Sequence, residues 1–133
     1  MITFFEGPIA VEDDDFELFA ERFIPRIEKK KSEIAFSFTG TDYRAEGVAV
    51  YDEDKGFFMA PRIKLKFNNF AITETVNVAS VRIDYVEVNP EKGKAYFQGL
   101  WIENGNDWRI EGKLKNNVKK KTIKTRNTKA KIS

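Results

Sequence analysis

The chain contains no cysteine and no histidine. Without cysteine there are no disulfides, no thiolate nucleophiles and no soft-metal sites, so nothing in the sequence requires an oxidising compartment. Without histidine the commonest general base and the commonest transition-metal ligand are missing as well. Acid–base work by Asp, Glu, Tyr or Lys is still open to it, but an enzyme is the weakest of the function classes and no catalytic residue is expected. No phosphate-cradling glycine motif occurs, which leaves nucleotide-dependent chemistry and bound cofactors without support. No apolar run approaches membrane-spanning length. The opening Met-Ile-Thr-Phe-Phe-Glu-Gly-Pro has no basic n-region and meets acids by Glu12, so no signal peptide is expected and an intracellular, by default cytoplasmic, location follows.

Two acidic runs, Asp13-Asp14-Asp15 and Asp52-Glu53-Asp54, have the oxygen ligands a hard cation needs. Neither has calcium-loop spacing, since Gly56 stands where a third ligand belongs and no closing acid follows. They read as a helix entry and a solvated hairpin tip, and no metal is expected.

Aromatic residues, by contrast, are plentiful: 12 Phe, 4 Tyr and 2 Trp in 133 residues, far more than a disordered chain carries. The length suits one domain with one core. The net charge of +2 conceals a division. All 21 acids lie at or before Glu111, so residues 1–114 hold 15 bases against 21 acids, a net of −6. Residues 115–133 hold Lys115, Lys119, Lys120, Lys121, Lys124, Arg126, Lys129 and Lys131 with no acid. The sequence thus divides into an acidic domain, 1–114, and a basic C-terminal arm, 115–133.

Along the domain, Phe16, Phe19, Phe23 and Ile27 recur at helical spacing behind the acids of residues 12–15, which suit a helix N-terminus. Pro25 interrupts the pattern, so a helix is predicted near 13–24. From Glu33 the period becomes two. Ile34, Phe36 and Phe38 alternate with smaller residues, and Gly40-Thr41-Asp42 makes a turn into a strand over 43–51. A loop over 52–55 sets Val50 against Phe57 and Val48 against Met59. Pro61 has no donor for a ladder, so the strand ends or bulges there before resuming over 62–67. A tight turn at Asn68-Asn69 pairs Phe67 with Phe70 and Leu65 with Ile72.

Asn104-Gly105 is the preferred pair of a two-residue type I′ hairpin. It sets Trp101 against Trp108, Gly99 against Ile110, Phe97 against Gly112 and Ala95 against Leu114. If the loop 89–93 pairs Val88 with Lys94, then Tyr85 meets Phe97, Ile83 meets Gly99 and Val81 meets Trp101. Two turns then agree on one apolar face, and a slip of one residue would expose both tryptophans. The resemblance between Val48-Ala49-Val50 and Val86-Glu87-Val88, each leading into a turn, is what two hairpins of one sheet require. The whole is mainly β: an antiparallel meander of about seven strands forming a small barrel or strongly bent sheet, with the helix packed on it.

In the run Phe70, Ile72, Glu74, Val76, Val78, Glu74 is a carboxylate on an apolar face, nominally opposite Ile63. It is the candidate residue for a ligand pocket or a buried acid; the plainer reading is an irregular strand or a rim position. Arg62, Lys64 and Lys66 share one face of their strand, as a basic track or, more simply, as charges guarding a sheet edge. Tyr51, Phe58 and Tyr96 could form an exposed stacking platform, but the strongest aromatic pair, Trp101 with Trp108, is expected in the core, so the body alone is a weak candidate for single-strand binding.

The arm cannot bury enough apolar surface to order itself, and eight bases without an acid point to an anionic partner, nucleic acid or an acidic subunit. The leading expectation is a non-enzymatic interaction or assembly protein. Its β-body packs on protein partners or on itself, and its arm docks on the anion. A β-barrel carrying a small hydrophobic ligand near Glu74 is the alternative, and an enzyme using a buried carboxylate comes last.

Overall fold

The computed structural model describes residues 4–28, 30–68 and 73–116. Eight antiparallel strands follow one another around a closed barrel: β1 (Phe5–Val11), β2 (Leu18–Arg26), β3 (Glu33–Thr39), β4 (Tyr43–Asp52), β5 (Phe57–Asn68), β6 (Thr73–Asn89), β7 (Lys94–Glu103) and β8 (Asn106–Asn116). Each strand pairs with its sequence neighbours, and β1 closes on β8 through Phe5 with Asn116, Ile9 with Gly112 and Val11 with Ile110. The expected antiparallel β-architecture is therefore present, as a closed barrel rather than a bent sheet, with one strand more than counted. Among the described residues no helix is long and apolar enough to cross a membrane.

The helix predicted over 13–24 is not there. Glu12–Asp14 form a single 3-10 turn, with Asp13 and Asp14 at φ 60° and 51°, and Leu18–Arg26 is strand β2. The spacing misleads because β2 is bulged. Ala20 pairs with Phe38 and Arg22 with Ser37, leaving Glu21 as the extra residue. Inward residues therefore fall at Leu18, Ala20 and Phe23, a step of two and then three that imitates a helical stripe. Phe19 points outward at 42% exposure and Ile27 lies past the strand at 60%. The acids serve other partners: the Glu12 carboxylate accepts the backbone N–H of Arg109 at 3.1 Å, and Asp15 accepts the indole N–H of Trp108. They tie the β1–β2 connection to β8, and Phe16 packs 5.6 Å from Trp101 and 5.5 Å from Trp108, covering that end of the barrel.

The β7–β8 hairpin has the predicted register at every pair from Glu103–Asn106 to Ala95–Leu114, with Asn104 and Gly105 at φ 51° and 80° as a type I′ turn demands. Next door, the β6–β7 turn is one residue tighter than expected. Asn89 pairs with Lys94, Val86 with Phe97 and Tyr85 with Gln98. A bulge at Asp84 then restores the expected pairs Ile83–Gly99 and Val81–Trp101. Tyr85 is consequently turned out of the apolar face to 48% exposure. The β4–β5 hairpin sets Val50 against Met59 and Asp52 against Phe57, two residues from the expected register, a shift that keeps every side chain on its face. Pro61 sits at a bulge as anticipated, where its carbonyl accepts the Ser80 hydroxyl at 2.7 Å.

The turn predicted at Asn68-Asn69 is displaced. Asn68 pairs with Thr73, Phe67 with Glu74 and Leu65 with Val76, so the connection is longer than two residues. Inside the barrel, Trp101, Phe23, Phe38 and Phe97 are the largest fully buried side chains. Phe97 stacks 4.8 Å from Phe23 and 5.8 Å from Phe38. Among the described residues no polar or charged side chain belongs to this core.

Candidate anion-binding surface

The end of β8 is fixed by the neighbouring hairpin. Four residues, Pro90 to Gly93, connect β6 to β7, and Gly93 closes the turn at φ 65° with its N–H donated to the Pro90 carbonyl at 3.3 Å. Its own carbonyl accepts the N–H of Asn116 at 2.7 Å. A Cβ on Gly93 would lie 3.2 Å from the Cβ of Asn116, so both the backbone angle and the close approach favour glycine. This latch holds the turn residue Lys92 near the paired ends of β7 and β8.

Those ends carry like charges side by side. Lys94 pairs directly with Lys115, and Tyr96 with Lys113. Alternation puts Ala95 and Leu114 inside and sends Lys94, Lys113 and Lys115 outward. Among the described residues none of Lys92, Lys94, Lys113 and Lys115 has a carboxylate within 4.0 Å. Like charges opposite each other across a ladder are destabilising, so the arrangement gains from any counter-anion. The four line a groove of about 600 Å³ whose remaining wall is Glu6, Gly7, Pro8, Phe19, Gly93 and Asn116.

On the other side of the lysines stand two tyrosines. The Tyr85 ring meets Tyr96 edge-on at 6.1 Å. Tyr96 donates its hydroxyl to Glu111 and accepts the Gln98 amide at 2.6 Å. The bond to Glu111 is the main reason its phenol is held above the usual tyrosine range, with desolvation adding to it.

Of the sequence-predicted site residues, Lys115 is the last lysine of β8. Lys119, Lys120, Lys121, Lys124, Arg126, Lys129 and Lys131 lie outside the described residues. Glu74 pairs with Phe67, not with Ile63, and its side chain lies outside the described part of the structure. The strand holding Arg62, Lys64 and Lys66 is interior to a closed barrel and guards no edge. Lys66 is paired with Glu46 at 3.4 Å. Of the proposed platform residues, Phe58 is buried, Tyr51 is exposed and packed on it, and Tyr96 belongs to the lysine surface. Sequence reasoning does not single out Lys92, Lys94, Lys113, Phe19 or Tyr85 as site residues. The register from Asn104-Gly105 does send Lys113 and Lys115 outward, and that signal is readable. No protein-family model matches the sequence, and no curated protein does.

Proposed function

We propose that this is a non-enzymatic interaction or assembly protein that docks on an anionic partner through the lysine surface at the end of β7 and β8, continued by the basic residues of the 115–133 arm. The observation that carries the reading is the Lys94–Lys115 cross-strand pair, flanked by Lys92 and Lys113 and without a carboxylate partner among the described residues. β8 ends at Asn116, and the residues that follow contain seven more bases and no acid. The sequence that follows β8 thus carries the same sign of charge as the surface, and a larger positive charge raises both the encounter rate and the salt sensitivity of binding.

A second contact, with protein, is supported by the opposite wall. There Ile24 pairs with Ala35 and Ala35 with Val48, while Val50 pairs with Met59, and Val48 and Val50 are exposed. Transport of a small hydrophobic ligand keeps the closed barrel as its support, but Trp101, Phe23, Phe38 and Phe97 occupy the interior such a ligand would need.

The test is capture of partners by the full chain, with and without nuclease, over a series of salt concentrations. Partners released by salt and absent when the chain is cut after Asn116 are the expected result. Capture indifferent to both salt and truncation would remove the reading.

A further inference from the structure

Resting on the anion-docking reading above, we propose that the partner is single-stranded nucleic acid, with bases stacked on Phe19 and on the Tyr85–Tyr96 pair and the intervening phosphates on Lys113, Lys115 and Lys94. The barrel places these groups in sequence around one stretch of wall. Phe19 pairs with Pro8 across β1 and β2, the groove joins Pro8 and Phe19 to Lys113 and Lys115, and Lys113 pairs with Tyr96. Neighbouring strands are about 4.7–4.9 Å apart, so the three intervals from β2 to β7 separate Phe19 from Tyr96 by about 14 Å. The lysines fill that interval.

An acidic protein segment would use the lysines and nothing else. Two exposed aromatic faces, Phe19 at 42% and Tyr85 at 48% exposure, add flat apolar surface on which a base stacks and which a chain of carboxylates does not use. Stacking on such faces is how sequence-tolerant single-strand binders supplement their charge. A duplex keeps its base faces hidden, so it would meet only the charge. The Tyr96 ring is already oriented by its hydroxyl bonds to Glu111 and Gln98, which lowers the ordering cost of a stack. The acids nearby do not close the path. Glu111, which accepts the Tyr96 hydroxyl, and Glu6, opposite Lys115 on β1, stand against Lys92, Lys94, Lys113 and Lys115, so the surface keeps its positive sign. Glu87 stands opposite Tyr96 on the side away from Lys113.

Fluorescence anisotropy of the full chain with labelled oligothymidylate, a duplex of equal length and polyglutamate tests this. Both aromatic side chains are exposed, so Phe19→Ala and Tyr85→Ala should keep the barrel, which circular dichroism checks. Oligothymidylate should bind most tightly, and each aromatic substitution should weaken it by about fivefold or more while leaving polyglutamate unchanged. The double variant Lys113→Gln/Lys115→Gln should weaken both probes and lower the salt slope by roughly 0.7 for each phosphate that is no longer neutralised. Equal binding of oligothymidylate and polyglutamate, insensitive to the aromatic substitutions, overturns the inference and leaves docking on an acidic protein standing. Preference for the duplex overturns it too. Binding of none of the probes overturns both this inference and the reading beneath it.

Discussion

Two walls of the same barrel handle their charges in opposite ways. On the outside of β2–β5, Glu21 meets Arg44 at 3.1 Å and Glu46 meets Lys66 at 3.4 Å, with Val48 and Val50 exposed on the same wall. On the outside of β7, β8 and β1, Lys94 faces Lys115 and Lys113 stands beside them with no carboxylate within 4.0 Å among the described residues. The inward side chains of both walls share one apolar core, so folding does not demand the difference. Arg22 and Arg62 on the first wall have no such carboxylate among the described residues, so what separates the walls is the cross-strand juxtaposition of like charges, Lys94 against Lys115, rather than the mere presence of unpaired cations.

The largest effect should come from what the walls have in common. Trp101, 1% exposed, packs against Phe16 and Tyr43, and Trp101→Ala should cost about 3–5 kcal/mol in urea denaturation, removing both surfaces at once. A smaller and more selective effect is expected at the hairpin glycines. Gly93 and Gly56 both have positive φ, at 65° and 79°, but a Cβ meets Asn116 at the first and open space at the second. Val at either site should lose about 1–2 kcal/mol to backbone strain. Gly93→Val should lose more than Gly56→Val and should also weaken anion binding, because it disturbs the latch under the lysines. Equal losses, with binding intact, would show that the latch does not position the surface.

Reversing one charge should separate the walls further. Lys94→Glu would stand opposite Lys115, so the empty barrel should gain about 0.2–1 kcal/mol at low salt while polyanion binding falls. Glu46→Gln on the other wall should cost at most about 1 kcal/mol and leave binding unchanged. A Lys94→Glu variant no more stable than the parent at low salt would mean that the lysines do not repel one another appreciably.

The smallest effect at neutral pH belongs to Tyr43, part of the common interior. Burial, helped by the Glu103 charge, pushes its phenol up to about 12 from 10.0. A group whose folded-state value is raised contributes stability that is fully present below the unfolded value, here 10.0, and is lost as pH rises through about 12. Denaturation midpoints should therefore be insensitive to this group at neutral pH and fall between pH 10.0 and about 12, and Tyr43→Phe should flatten that fall.

The sequence is most legible where a turn has a demanding backbone. Asn104-Gly105 admits few geometries, and from it the register of β7 and β8 follows to Leu114. It is least legible where a bulge intervenes, because one extra residue reverses the inward and outward alternation beyond it without any marker in composition. Glu21 does this in β2 and Asp84 does it in β6. The same two bulges explain why half the candidate surface is hidden from sequence reasoning. Periodicity puts Phe19 in a helical core stripe and Tyr85 on the apolar face opposite Phe97, yet both rings point outward. Charge is easier to read than direction: the concentration of lysines toward the C-terminus is plain from composition, and that Lys94 meets Lys115 follows from the Asn104-Gly105 register carried one pair beyond Ala95 and Leu114.

The ladder between β1 and β8 has a consequence for the history of each molecule. It pairs Ile9 with Gly112, residues far apart along the chain, so its loop-closure cost exceeds that of any hairpin in the barrel, and a topology so rich in distant contacts folds in roughly milliseconds to seconds. Until that ladder forms, both flanking strands are open edges with unpaired amides, templates for a neighbouring chain and for strand exchange between two copies. Lys113 and Lys115 lie on one of those edges. Their mutual repulsion, unfavourable once the barrel is shut, discourages a second copy of β8 from docking while it is still open.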